Sequence, residues 1–409
     1  MAGDSLSITQ TGLQGVENAM QAVSDNLANE ETVGFKAEQV DFGTLLGDYI
    51  AGNQLGGGVI ADAVTRDFSQ GAIVQSNSPT DLAIQGNGFF VFQDSSGNLT
   101  FSRNGQMTIG NNGDLLSFNG SQVMGYPVSA NGTAGGVLAP IVIPQGILAP
   151  IASSKVTMSG NLNGSSPVIT GAINPADPTT YDTSVSVQVF DSLGNSHVLT
   201  FYLQNAGPSG GTENWNWLAT LDGSTTGLAN NTGTIGFNSS GQVVSGGLPA
   251  SPLTATVSGA APLSLSLDFS AFTQYGAPTS TSGTADGNAP GRPSGVQVDS
   301  KGIVSVTYSN GRIVNVAQVA IATFTAQQGL ALSSGGVYQQ TATSGPPTIG
   351  TAGAGSAGSI QPSSLENSNV DLTSQLVALV LLQRSFEANA KALQTQDNIL
   401  GSVVQIQTS

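Results

Sequence analysis

From Leu6 onward, apolar residues fall at Leu6, Leu13, Val16, Met20, Val23 and Leu27, and after Leu13 the steps alternate between three and four. This is the a and d spacing of a heptad, with Thr9 filling one position imperfectly. It predicts a helix over 5–29, about 37 Å long from the helical rise per residue. The far end of the chain mirrors it. Leu372, Leu376, Leu379, Gln383, Phe386, Ala390, Leu393, Asp397, Leu400 and Val404 keep the same three-four spacing, and Asn369 or Asp371 stands ready as the N-cap. That second helix reaches roughly 50 Å. Each end therefore carries a narrow apolar stripe, where a helix lying on a globular core shows a wider one. Narrow stripes call for helical partners, and one pair of helices leaves surface over for other copies.

Between about Leu82 and Phe324 the period changes to two. Short runs of β-branched and aromatic residues alternate with polar ones and are divided by turns opened by Asp or Asn and closed by Gly: Asp94 to Asn98, Asn111 to Asp114, Asp191 to Asn195, Asn238 to Gln242, Asp299 to Gly302, and Asn310-Gly311. The side chain of Asp or Asn bonds the turn backbone and Gly takes the positive φ, so each reads as a hairpin. The middle of the chain is expected to be all β.

Two segments rich in proline, 140–154 and 287–295, interrupt that β region and suit linkers better than central strands. They cut out an inserted outer β domain at 151–288, flanked by the halves of an inner β domain at 72–150 and 289–345. Segments 30–71 and 346–369 are links, and 1–29 and 370–409 are the terminal helices. The fold class that follows is α+β and multidomain, with long coiled-coil-like N- and C-terminal helices flanking nested all-β domains.

Composition narrows the function. Only 8% of the 409 residues are charged, and 9 Lys+Arg against 25 Asp+Glu leave a net charge of −16. Such a chain repels phosphate backbones and anionic lipid, so neither nucleic acid nor a membrane surface is expected as a partner. There is no cysteine, hence no disulfide and no thiolate chemistry. The first residues, MAGDSLSITQTGLQ, lack the basic and apolar regions of a cleaved secretion signal, and the longest apolar run, Leu376 to Leu382, is far too short to span a bilayer.

Catalytic and metal constellations are not expected. The single histidine, His197, lies in the period-two run NSHVLTFYL and reads as a solvent-facing strand residue. The Asp- and Gly-rich turns lack the spaced ligands of a calcium loop. Gly353, Gly355 and Gly358 form a G-x-G-x-x-G without the flanking strand and helix of a dinucleotide site, so the stretch reads as a flexible linker. No cofactor and no enzymatic activity follow.

The stretch SDNLANEETVGFK closely resembles the signature of the bacterial flagellar axial proteins, with Asn26, Leu27, Ala28, Asn29, Thr32, Gly34, Phe35 and Lys36 in the matching positions. LAIQGNGFFVF at 82–92, FSRNGQMTIGNNGDLL at 101–116 and the helix LENSNVDLTSQLVALVLLQRSFEANAKALQTQDNIL at 365–400 resemble further blocks of that family, in the same order. Together they cover about the first 130 and last 50 residues. The chain departs from the family pattern at Gln375, where an acidic residue is common, at Phe386, where Tyr is common, and at the acidic pair Glu30-Glu31.

The resemblance implies a self-assembling extracellular structural protein, exported through the flagellar type III apparatus without a cleaved signal. It further implies rod, hook-cap and junction proteins as neighbours. The insertion at 151–288 points to the hook branch, a curved tube that passes torque around a bend, rather than to the shorter, straight rod. An extracellular β-rich adhesin is a further alternative. The expected subunit interface is the two stripes, Leu6, Leu13, Val16, Met20, Val23 and Leu27 with Leu372, Leu376, Leu379, Phe386, Leu393, Leu400 and Val404. To these the link adds Asn26 and Asn29 as helix-end caps, Gly34 as the turn outward, and Phe35 as an anchor against a neighbour.

Overall fold

A computed structural model describes the backbone of residues 2–50, 53–129 and 132–407; within these, the side chains of 2–6, 45–50, 53–57, 62, 400 and 403–407 are not described. The interface positions Leu6, Leu400 and Val404 lie in the two helices, but their side chains fall outside the described residues. The chain is mostly β with a long helix near each end, α1 (Ala2–Ala28) and α2 (Leu372–Gln407), an α+β architecture. No helix among the described residues is long and apolar enough to cross a membrane.

The chain divides into two compact units, Met1–Pro144 with Gly295–Thr307 and Ile313–Ser409, and Gln145–Ser294 with Tyr308–Arg312. The first unit holds α1, α2 and a sheet whose order runs Pro293–Val298, Ile303–Tyr308, Ile313–Thr323, Gln122–Pro127, Phe89–Gln93, Leu99–Ser102, Val337–Gln339 and Ala331–Ser333. Phe89 packs edge-on against Phe68, Phe324 and Tyr338 with ring centroids 5.6, 5.9 and 5.6 Å apart, which seats the aromatic runs of the sequence in one core. Segment 30–71, expected to be a plain link, instead carries a long antiparallel hairpin, β1 (Glu38–Ile50) and β2 (Asn53–Arg66). Its glycines and scattered charges obscure the alternation by which a strand is read.

The second unit is two five-stranded sheets that share one core, including Phe201, Trp215, Trp217, Phe237 and Phe269. Burial alternates strictly along Thr183–Phe190 and along the first half of Leu263–Tyr275, as period two requires. The proline-rich segments at its two ends meet through isolated bridges, Leu148 with Gly291 and Ile151 with Asn288. They are therefore a paired neck rather than two free linkers.

The Asp- and Asn-opened turns share one geometry. In four of them the opening side-chain oxygen accepts from the backbone N–H two and four residues on, as Asp94 does from Ser96 and Asn98, Asp191 from Leu193 and Asn195, Asn238 from Ser240 and Gln242, and Asp299 from Lys301 and Ile303. The glycine stretch at 353–358 is a turn between strands Thr348–Thr351 and Ser359–Pro362, closed by Gly353 N–H donating to the Gly358 carbonyl at 2.9 Å. It is built structure, where the sequence suggested a flexible linker.

Candidate assembly surface at the two termini

The face of α1 that the subunit buries is made of small residues. Gly15, Ala19, Ala22 and Asn26 are buried at steps of four, three and four, whereas Val16, Met20, Val23 and Leu27, each one residue further on, are only half-buried, as is Leu13. The buried seam is thus displaced from the expected apolar stripe. Close approach is the reason: a Cβ on Gly15 would lie 3.1 Å from the Phe42 ring of β1, and one on Gly12 3.5 Å from Asn389 Nδ2 of α2.

Helix α2 runs antiparallel to α1 and meets it through amides. Asn26 Nδ2 donates to Gln375 Oε1 at 3.3 Å and, toward the other end, Thr9 Oγ1 donates to Gln396 Oε1 at 2.9 Å. Gln375, Asn389 and Gln396 stand at multiples of seven, so they share one side of α2. The departure at Gln375 acquires a use here, since an amide oxygen accepts from Asn26 without burying a charge. On α2 the expected interface residues Leu379 and Leu393 are half-buried, while Leu372, Leu376 and Phe386 are exposed, as are Val377, Val380 and Leu381. The N-cap is Asp371, whose Oδ1 accepts from Ser374 N–H at 2.7 Å. Asn369, the other candidate, instead accepts from Ala37 N–H and donates to the Asp67 carbonyl, both at 2.8 Å.

In the link, Asn29 closes the helix end as expected, donating from Nδ2 to the Asp25 carbonyl at 2.9 Å and accepting from Thr32 Oγ1 at 3.1 Å. Asn26 does not cap. It is buried and clamps the start of β1, donating to the Glu38 carbonyl at 2.8 Å and accepting from Glu38 N–H at 2.7 Å. Gly34 has φ +72°, donates its N–H to the Glu366 carbonyl at 2.7 Å, and lies so close to the β body that a Cβ would sit 2.5 Å from Asn104 N. Phe35 is half-buried in a groove of about 450 Å³ that Phe118, Leu332 and Tyr338 also line.

Sequence reasoning missed the residue that follows. The Lys36 side chain is wholly buried, with Nζ 2.6 Å from Glu366 Oε1 and 2.6 Å from the Ser69 carbonyl. Glu366 Oε1 also accepts from Gly71 N–H at 3.0 Å, and Arg103 Nη1 approaches Glu366 Oε2 at 3.3 Å while its guanidinium carbon lies 5.3 Å from the centre of the Phe89 ring. Burial pulls the Lys36 ammonium below the usual lysine range, and the Glu366 carboxylate opposes that pull. One carboxylate from the strand before α2 thus ties the link after α1 to the β body. The signal was present: Lys36 is the only lysine before Lys155 in a chain very poor in cations.

Among the described residues no group of three metal-ligating side chains converges. In the second unit His197 is not the solvent-facing residue expected. Its Nδ1 lies 2.7 Å from Asp222 Oδ2 and its Nε2 3.5 Å from Asp191 Oδ2, so the ring joins two turns that the sequence keeps apart. The bond to Asp222 raises its pKa above the ordinary value.

Three family descriptions match the chain: "Flagellar hook protein FlgE/F/G D1 domain" at residues 83–163, "Flagellar basal body protein FlaE D2 domain" at 160–288, and "Flagellar basal body rod FlgEFG protein C-terminal" at 361–406. The chain is 33% identical over 404 residues to the flagellar hook protein FlgE of Escherichia coli K12, covering 97% of this chain and 98% of that protein. It is 32% identical over 409 residues to that of Rhizobium meliloti, with 97% of each covered. The crystal structure of Helicobacter pylori flagellar hook protein FlgE2 has the same fold at a TM-score of 0.52 and 17% identity, over 72% of this chain and all of that one. With the helix pair, the link and the inserted β unit in place and relatives matched end to end, the chain belongs to the flagellar hook protein FlgE family.

Proposed function

We propose that the chain is the structural subunit of a bacterial flagellar hook, joining copies of itself into a curved helical tube that acts as a universal joint and passes torque from rod to filament. The observation that carries this reading is the way the helix pair is built. Small residues and amides make the contacts inside the subunit, while Leu372, Leu376, Val377, Val380, Leu381 and Phe386 of α2 stay exposed. So much bare apolar surface along one helix is a site for partners. The half-buried stripe of α1 adds to it, and helices from neighbouring copies cover both by coiled-coil packing.

In this reading 1–29 and 370–409 form the stiff inner layer, 72–150 with 289–345 the body around it, and 151–288 the outer layer whose contacts slide as the tube turns. A surface of Ser, Thr, Asn and Gly suits sliding, because its contacts are short, wet and exchangeable. Rod, cap and junction proteins adjoin the tube, and the subunit reaches it through the type III export channel, where a chain without cysteine cannot be caught by a premature disulfide. Electron microscopy of the purified protein after salt-induced polymerisation tests the reading. Curved tubes are expected; straight tubes would move the chain to the rod branch, and persistent monomers would sink both.

A further inference from the structure

In the second unit, the sheet ordered Thr183–Phe190, Ser196–Ser209, Thr212–Leu221, Thr232–Phe237 and Val243–Ser245 buries one face in the core and turns the other outward. Phe201, Leu203, Trp215, Trp217 and Ala219 take the inner face, so alternation sends Tyr202, Gln204, Asn216 and Leu218 to the outer one. The register sets Gln204 beside Asn216 and Asn216 beside Thr234, a row across three strands, with Tyr202, Leu218 and Thr232 as the next row. A loop is held over this face where Gln204 Nε2 donates to the carbonyls of Gly171 at 3.2 Å and Thr180 at 2.9 Å. Between loop and sheet lies a cleft of about 430 Å³, within the range of small-ligand sites.

The cleft is neutral but polar. Among the described residues that line it, none is ionisable, and the sheet contributes Gln204, Asn216, Leu218, Thr232 and Thr234. Thr234 Oγ1 donates to Asn216 Oδ1 at 2.9 Å, and Asn216 Nδ2 donates to Gln204 Oε1 at a long 3.4 Å. Hydrogen-bonding capacity is left over. Among the described residues, the Asn216 amide keeps one N–H unused, the Thr232 hydroxyl has no partner, and Gln204 Oε1 accepts only the long bond although Gln204 is 1% exposed. So buried an oxygen, so loosely paired, is a place for a further donor. Ile173 of the loop and Leu218 are half-buried and give the cleft an apolar wall. Cross-strand from Leu218, the Tyr202 ring meets Tyr181 edge-on with centroids 4.9 Å apart.

We propose that this cleft binds a neutral carbohydrate, a mono- or disaccharide unit of a glycan. A sugar ring carries hydroxyls that both donate and accept around its edge, and C–H groups on its faces. The row offers that edge an acceptor on Gln204, a donor on Asn216 and hydroxyl lone pairs on Thr234, spaced by the inter-strand distance of about 4.8 Å. Leu218 and Ile173 receive the C–H face. A phosphate or carboxylate ligand finds no cation in the cleft, on a chain whose net charge is −16. A wholly apolar ligand would leave the amides unpaired. The proposal stands apart from the tube reading, since it assigns a ligand to the inserted unit whatever the chain assembles into.

The two tryptophans of the chain, Trp215 and Trp217, both lie on the strand beneath the cleft, so their fluorescence reports on it. The full-length chain is titrated with D-glucose, D-galactose, N-acetyl-D-glucosamine and maltose, followed by this fluorescence and by saturation-transfer NMR on the sugar. At least one is expected to bind saturably with a Kd of about 1 mM, the affinity of a small ligand with few contacts. Asn216→Ala and, separately, Thr234→Val are each expected to weaken that binding about tenfold, the loss of one hydrogen bond. Thr234 is exposed, so its variant keeps the fold, and an unchanged circular dichroism melt verifies this. Absence of saturable binding by all of these sugars, unchanged affinity in both variants, or tighter binding of inorganic phosphate than of any sugar would overturn the proposal.

Discussion

Lys36 Nζ and Glu366 Oε1 lie 2.6 Å apart with both side chains fully removed from solvent, although 330 residues separate them in the chain. The pair joins the exit of α1 to the entry of α2, and Arg103 brings the β body to the same carboxylate. A buried pair of this kind adds little over a well-packed apolar substitute, but removing one member leaves charge stranded. Glu366→Ala strands two cations and is expected to destabilise the first unit by about 3 to 5 kcal/mol, with the second unit's unfolding transition unchanged. Chemical denaturation followed by fluorescence and by circular dichroism checks this; a loss below about 1 kcal/mol would mean that water replaces the carboxylate.

Gly34 is expected to tolerate no side chain. Its φ of +72° disfavours any L residue, and the space a Cβ needs is held by the backbone of Asn104 and Arg103, which cannot swing aside. Gly34→Ala should cost about 1 to 3 kcal/mol in the monomer, and Gly34→Val more. Because the obstruction lies within the same subunit, folding and assembly should fall together. Measured monomer stability equal to wild type in Gly34→Val would place the constraint between subunits instead.

How far the sequence revealed these features depends on the range over which each is written. The helices at both ends, the β middle and the Asx-opened turns are local patterns of period 3.5, period 2 or a five-residue motif, and they were legible. The cluster of Lys36, Glu366 and Arg103 is assembled by topology, so no spacing in the chain betrays it. The small-residue seam on α1 was not legible, because hydrophobicity marks the apolar stripe beside it, whereas close helix packing selects Gly15, Ala19 and Ala22 for smallness. The hairpin at 38–66 was invisible because three consecutive glycines, Gly56, Gly57 and Gly58, erase the alternation in its second strand.

His197 gives the second unit a pH dependence. Its hydrogen bond to Asp222, opposed by burial, sets its pKa above the ordinary 6.5. The charged ring therefore stabilises the fold fully below 6.5, and that contribution is lost as pH rises through the folded value. Burial pushes Asp191 up, but bonds from Asn195, Leu193 and His197 outweigh it and hold the carboxyl at about 2, so its own contribution disappears only in strong acid. Thermal melts should show the second unit weakening as pH rises above about 6.5 in the wild type and not in His197→Asn. Parallel curves for the two proteins would show that the ring is neutral in the fold.

Removing the insertion separates shape from assembly. Ile151 donates its N–H to the Asn288 carbonyl at 3.1 Å and receives the Asn288 N–H at 2.9 Å, so the two ends of 151–288 already lie side by side. Joining Pro150 directly to Ala289 then closes the chain across a bridge rather than across a gap, and the first unit's sheet and helix pair keep every contact described within that unit. If the inserted unit supplies only the outer, sliding contacts, the deleted chain should polymerise at a critical concentration within about threefold of wild type, since the helix surfaces carry the assembly. Its tubes should be straight, because nothing is left at large radius to prefer one subunit spacing on the inside of a bend and another on the outside. Electron micrographs decide the matter: curved tubes from the deleted chain would move the origin of curvature to the helices and the body around them, and a chain unable to polymerise would make the insertion part of the assembly surface itself.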